Sequence, residues 1–265
     1  MSIVTVDDIA AAIAAKKSYR FIKNITAPKA AGAFQSGWLA TGFPPPGTNP
    51  PAYTAGSGYT CDRTNTGSLG QLNAAVQNWI SKIAASLSQV GTLFLADRLW
   101  HCGGMGFAAS TYTVTTPGSL PARITDSGQG CELWVEQNVA AGTASGTLTC
   151  SYKDCNAATQ SGVIAAVVSA PVIGQMQPVP LANHLGVSQL ISCTNSATWT
   201  SGSFGITILK PIVSIEIPVV GVGRTLDWAS LGLPQIPTDA CLFFYFLANG
   251  TTAPVAIGTI DIIDK

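Results

Sequence analysis

Gly91-Thr92-Leu93-Phe94-Leu95-Ala96-Asp97-Arg98-Leu99-Trp100-His101-Cys102-Gly103-Gly104 is an apolar run with an acid and a base side by side at its centre. Its large, branched and aromatic residues read as a strand over 92–100, with Gly103 to Gly106 as the turn that ends it. Neighbours along a regular strand point to opposite faces, so Asp97 and Arg98 cannot pair with each other and each needs its own partner. Only 10% of the chain is charged, and an unpaired buried charge is costly. The reading is that one of the two ties the sheet to the N-terminal segment and the other meets a neighbouring subunit.

Working outward, short β-rich runs separated by Gly, Pro, Asn and Asp continue to the C-terminus. Strands are expected at roughly 110–116, 131–139, 145–152, 161–169, 187–193, 204–210, 212–219, 240–247 and 254–263. Cys131, Leu133 and Val135 alternate with Glu132 and Glu136, and Val213, Ile215 and Ile217 with Ser214 and Glu216, as in half-buried strands with the carboxylates in solvent. Asn249-Gly250 marks the turn of a closing C-terminal hairpin. The fold class is mainly β: an antiparallel β-sandwich or jelly-roll body. One helix is expected to pack on it, over Ser68 to about Leu87, because Leu69, Leu72, Val76, Trp79, Ile80 and Ile83 recur at three- and four-residue steps.

The N-terminal part differs in composition. Thr5 with Asp7 and Asp8 starts a short amphipathic helix carrying Val6, Ile9 and Ile13. Lys16, Lys17, Arg20, Lys23 and Lys29 follow, so residues 1 to 29 carry a net charge of +3 on a chain whose total is zero. Residues 30 to 67 are rich in Gly, Pro, Thr and Ser, with Pro44 to Pro46 and Pro50-Pro51 favouring extended backbone. The division is therefore 1–67 as helix and extended arm, and 68–265 as the body.

Zero net charge argues against nucleic-acid binding. The most apolar run, Val163 to Ile173, is broken by Ser169 and Pro171 and is too short to span a membrane as a helix. A charge content well under half of the usual ~25% suits a surface that is covered in an oligomer or larger assembly. Met1-Ser2-Ile3 leads to two aspartates rather than to a cationic leader, so synthesis in the cytoplasm is expected. The seven cysteines lack paired metal-ligand spacing and read as reduced, buried thiols.

Catalysis finds little footing. His101 and His184 are the only histidines, His101 reads as a structural imidazole at a strand end, and neither GxSxG nor HExxH occurs. Glu132 and Glu136 lie four residues apart on one strand, about 13 Å, beyond the separation a glycosidase uses. Glu216 or Asp97 would have to supply a cross-strand partner. Trp199, Trp228, Tyr53 and Tyr59 sit in loop-like sequence where they would stack on sugars. No catalytic residue, cofactor or metal is expected.

Gly91 to His101, Pro121-Ala122-Arg123, Gly130-Cys131-Glu132-Leu133-Trp134-Val135-Glu136 and Leu247 to Thr251 together resemble a family of tailed-bacteriophage virion structural proteins, most closely the capsid decoration, or cement, proteins. The resemblance covers residues 68 to 265. It implies a non-enzymatic β-sandwich, often a homotrimer, on the outer capsid surface, bridging neighbouring major capsid protein subunits after synthesis in a bacterial host. Asp97, Arg98, Trp100, His101 and Trp134 carry the motif, and Lys16, Lys17, Arg20, Lys23 and Lys29 are the expected capsid contacts. The alternative is a tail-associated or receptor-binding protein using the same sandwich to hold sugars.

Overall fold

The computed structural model describes residues 5–49, 57–69, 75–106, 110–114, 120–142, 146–196, 198 and 200–264. Numbered along the chain, its strands form three antiparallel groups. A terminal sheet runs β14 (Arg224–Asp227), β5 (Asn78–Leu87), β17 (Val255–Asp264), β1 (Lys17–Asn24), β3 (Thr41–Phe43), with β15 (Gln235–Ile236) also on β5. A distal sheet runs β10 (Thr159–Ile164), β9 (Leu148–Asp154), β12 (Val187–Asn195), β7 (Ser110–Thr113).

Between them, β13 (Ser203–Ile217), β8 (Glu132–Val139), β11 (Gln175–Pro178), β2 (Ala33–Ser36), β16 (Leu242–Ala248) and β6 (Gly91–Gly106) pair in that order. β6 pairs with β13 in turn, so the six strands close into a barrel, while β4 (Tyr59–Thr60) adds to β6 from outside the ring. Closure leaves no free edge on those six strands. The mainly β, antiparallel sandwich-type body is as the sequence indicates, with a closed ring between its two outer sheets.

The two long strands hold the layers together. Leu93 and Leu95 of β6, with Ile215 and Ile217 of β13, pack against Phe21, Ile83 and Ile260 of the terminal sheet. At the other end Trp100, Cys102 and Met105, with Phe204, Ile206 and Ile208, pack against Leu148, Tyr152 and Leu190 of the distal sheet. A third cluster, with Ala96, Trp134, Met176, Leu209, Phe243 and Tyr245, fills the barrel. Burial of each such side chain contributes about 1.5–3 kcal/mol before the entropy of ordering is subtracted.

The expected helix over 68–87 is a correction: β5 occupies Asn78–Leu87, and residues 70–74 with Leu72 lie outside the described part. A bulge explains the misreading. Ile80 pairs with Ile262 and Lys82 with Asp261, leaving Ser81 as an extra residue. The inward side chains are therefore Ile80, then Ile83, Ala85 and Leu87, and the insertion gives a strand one helix-like three-residue step.

Glycines in the quoted stretch also mislead. Gly103-Gly104 ends nothing: β6 continues to Gly106, with Gly104 at φ 72° and both glycines facing the single residue Gly205 of β13. That is a bulge, where a left-handed residue is needed and glycine supplies it cheaply. The strands expected at 204–210 and 212–219 are one strand, β13, which passes Pro211 at another register shift. Nor do β16 and β17 form a hairpin, since they belong to different sheets and Asn249-Gly250 lies in the corner between them.

At the N-terminus, α1 (Val6–Ala14) begins with the expected cap, the Thr5 side chain accepting from the Asp8 amide and the Asp8 carboxylate accepting from the Thr5 amide. Where an extended arm was expected, β1 pairs along its length with β17 and over its last three residues with β3, while β2 is a barrel strand. A second helix, α2 (Trp228–Leu231), is one turn capped by Asp227.

Candidate assembly surface

Of the five basic residues, Lys17, Arg20 and Lys23 lie in β1, Lys16 just before it and Lys29 after it. Lys16 meets Asp261 at 2.8 Å, and Lys17 meets Asp264 at 2.5 Å, both acids on β17. Lys23 points inward and is buried, its Nζ donating to the carbonyls of Pro44 (2.7 Å) and Ala40 (3.2 Å). Burial lowers its pKa from 10.5 to about 8. Arg20 and Lys29 stay exposed, with no ion pair among the described residues. Two of the five are thus paired with acids of β17, one is buried against carbonyls and two remain exposed.

The motif residues lie inside. Asp97 and Arg98 do take different partners. Arg123 reaches Asp97 with two nitrogens, Nε at 2.7 Å and Nη2 at 2.9 Å, and also donates to the Cys61 carbonyl. Burial raises the Asp97 pKa despite that guanidinium. The Cys241 amide donates to the same carboxylate, so Asp97 joins segments of this chain where a neighbouring subunit had been expected. Arg98 pairs with Glu136 at 2.7 Å, both side chains fully buried, and lies 4.6 Å from the Trp38 ring centre. Its Nη2 also donates to Asn49, which is the expected tie to the N-terminal segment.

Glu136, expected in solvent, is therefore enclosed. The sequence lacked the register that sets Glu136 opposite Gly205 and Met176 inside the ring. His101 is beside Arg98 for a related reason: Leu99 is an extra residue between Arg98 and Trp100 in the pairing with β13. Positions 98 and 101 thereby face the same side, and Arg98 Nη2 lies 2.8 Å from His101 Nδ1. The Thr207 hydroxyl, with one proton to give, reaches both Nδ1 (2.8 Å) and Glu136 (3.0 Å). Burial, helped by the nearby guanidinium, lowers the His101 pKa well below its usual value, so the imidazole is neutral. Gly205 makes room for it, since a Cβ there would lie 2.6 Å from the ring. Trp100 packs toward the distal sheet, and Trp134 sits in the barrel with Nε1 donating to Glu132.

What remains facing solvent is more telling. Ile22 of β1 is the register partner of Phe43 on β3 and of Ile257 on β17. The three are 38%, 46% and 45% exposed, an apolar row across three strands on the outer face. Ser86 of β5 extends the row beside Ile257. Next to it the Gly221 amide donates to the Leu87 carbonyl, which fixes a turn bearing Val219, Val220 and Val222, each more than half exposed. Sequence reading missed this surface. Its one signal was that Phe21-Ile22 and Ala256-Ile257 are apolar on consecutive residues, hence on both faces of a strand.

The distal sheet has a different outer face. Thr113, Ser192, Ser151 and Ser161 are successive register partners across its four strands, and Thr111, Thr194, Thr149 and Val163 form the next row. Tyr59 is turned edge-on to His101 and bonds to the Thr48 carbonyl, while Trp228 lies on α2, so these two do not share a platform. Tyr53 and Trp199 lie outside the described residues. No helix among the described residues is long and apolar enough to cross a membrane.

No family model matches the chain, and no curated protein matches it. Among solved structures it is similar to the VP2 subviral particle of infectious bursal disease virus, with 8% identity over 94% of this chain and 80% of that one, at a TM-score of 0.24. It is also similar to the family 11 carbohydrate-binding module of the cellulosomal cellulase Lic26A-Cel5E of Clostridium thermocellum, with 11% identity over 59% and 96% and a TM-score of 0.21. Sulfolobus turreted icosahedral virus gives 10% identity over 80% and 88%, at 0.16. TM-scores this low carry no functional argument, which rests instead on the residues themselves.

Proposed function

We propose that this chain is a non-enzymatic structural protein of a tailed-bacteriophage virion that decorates the outer capsid and bridges neighbouring major capsid protein subunits. The observation that carries the reading is the exposed row Phe43, Ile22 and Ile257 beside the Val219 to Val222 turn. Contiguous apolar surface of this kind on a monomer marks a place that a partner covers. The sequence resemblance supplies the kind of partner. Arg20, on the same face of β1 as Ile22, and Lys29, both exposed and without an ion pair among the described residues, serve as contacts for acidic capsid surface.

The chemistry of the interior supports a scaffold. Two buried ion pairs, Arg98 with Glu136 and Arg123 with Asp97, tie its strands and segments together. A shell protein gains from this because each interface it buries on the assembled particle stabilises that state by mass action. Self-association, as a homotrimer, would cover further apolar area on the same principle.

The second reading, a tail-associated sugar-binding protein, is favoured by the hydroxyl rows of the distal sheet, whose groups both donate and accept as sugar hydroxyls do. Mixing the protein with capsids that lack it, pelleting them and counting bound copies separates the two. Saturation at hundreds of copies with raised capsid heat stability supports the shell; a few tens, or none, with binding to host glycans supports the tail.

A further inference from the structure

Cys150 on β9 and Cys193 on β12 are direct register partners in neighbouring antiparallel strands. Their sulfur atoms lie 3.6 Å apart and both residues are wholly buried in the core under the distal sheet. Opposed residues in such a ladder have Cα atoms about 4.5–5.5 Å apart, inside the roughly 4.4–6.8 Å that a disulfide requires. Closing the sulfurs to about 2.05 Å is then a matter of side-chain rotation, with the backbone already in place.

We propose that Cys150 and Cys193 are a modification site, a dithiol that oxidises to a cross-strand disulfide when the protein folds or stands in an oxidising medium. The inference is independent of the virion reading. With oxidised glutathione as the oxidant, one cysteine thiolate attacks the glutathione disulfide and expels a glutathione thiolate. The second cysteine, losing its proton to solvent, then attacks the mixed disulfide and expels the other glutathione. One sulfur–sulfur bond forms in the protein, two protons leave, and the glutathione disulfide is reduced by two electrons.

Burial raises the Cys193 thiol well above its ordinary range, and the neighbouring Cys150 adds to the effect. Attack within the closed core is accordingly slow, and the favourable moment is folding, before β9 and β12 are covered. Residues 150 and 193 are 43 positions apart, and the loop between them contains β10 and β11, so the bond would restrict a substantial piece of the unfolded chain.

The test is to refold the full chain from denaturant in a glutathione redox buffer, quench exchange with acid, unfold the chain in denaturant with excess alkylating reagent so that buried free thiols are blocked too, digest without reduction and map the peptides by mass. The expected result is a linked pair of peptides carrying Cys150 and Cys193, an intact mass about 2 Da lower for the two hydrogens lost. A rise in unfolding midpoint on the order of 5 °C that a reductant abolishes should accompany it. Alkylation of both cysteines after refolding, or a link from either to Cys102 instead, would overturn the proposal. Because the wild-type chain itself is mapped, the result does not depend on whether a Cys150→Ser variant folds.

Discussion

The two outer sheets rest on the same barrel and pack inward with the same kinds of side chain, yet they face the solvent differently. The distal sheet presents Ser and Thr hydroxyls in register across β7, β12 and β9, with Ser161 and the exposed Val163 completing the two rows on β10. The terminal sheet presents Phe43, Ile22 and Ile257 in register. Hydroxyls stay hydrated at no cost, whereas exposed isoleucine and phenylalanine lose free energy to water that a partner would restore. In strands, where inward and outward positions alternate, the inward set determines the fold and the outward set determines what the fold can join. Here the sheets differ in the second.

The most severe way to break this comparison is to remove what the sheets share. Glu136→Ala leaves Arg98 buried without its carboxylate, and a loss of about 3–5 kcal/mol is expected. Denaturant unfolding followed by tryptophan fluorescence and by circular dichroism would show a single transition at lower midpoint if the barrel anchors both sheets. Two separated transitions would mean that one sheet stands without it.

Next in size is Lys23, on the inner face of the strand that carries Ile22. The unfolded chain keeps this proton up to about 10.5, while the folded chain sheds it near 8. Between those values the unfolded state binds more protons, so stability should rise with pH across the window, by on the order of 2–3 kcal/mol. The unfolding free energy of the wild type minus that of Lys23→Met should rise from pH 8 to 10, and a constant difference would refute the assignment.

The contrast between the faces is tested by Ile22→Asp against Thr194→Asp. The first should weaken capsid binding more than tenfold, roughly 1.5 kcal/mol or more, with the fold retained by circular dichroism. Thr194→Asp should leave binding unchanged, and equal losses from both would remove the terminal face from its proposed role. The smallest effect is expected from Lys17→Ala, which removes the exposed pair with Asp264. A change below about 1 kcal/mol in unfolding free energy is predicted, diminishing further in high salt.

Much of the fold was legible in the residues. β-rich runs bounded by Gly, Pro, Asn and Asp located β8, β9, β12, β16 and β17 to within a few positions. Where alternation is interrupted by an extra residue, the signal fails: Ser81 made β5 look helical, and Gly103-Gly104 made a continuous strand look finished. The opposite faces of Asp97 and Arg98 were readable from parity alone, but their partners were not. Arg123 and Glu136 are distant in sequence and are brought in by register. The apolar row was hidden for the same reason, since Ile22, Phe43 and Ile257 meet only once three strands are aligned.

The length of β6 and β13 also has a mechanical side. The terminal sheet grips one end of this pair and the distal sheet the other, with the two strands hydrogen-bonded side by side between them. A pull that separates the outer sheets acts along the strands, at right angles to the bonds that join them. Because both strands meet both sheets, such a pull loads them side by side along their covalent backbones and spares the bonds between them, so the side-chain packing at either end is what yields first.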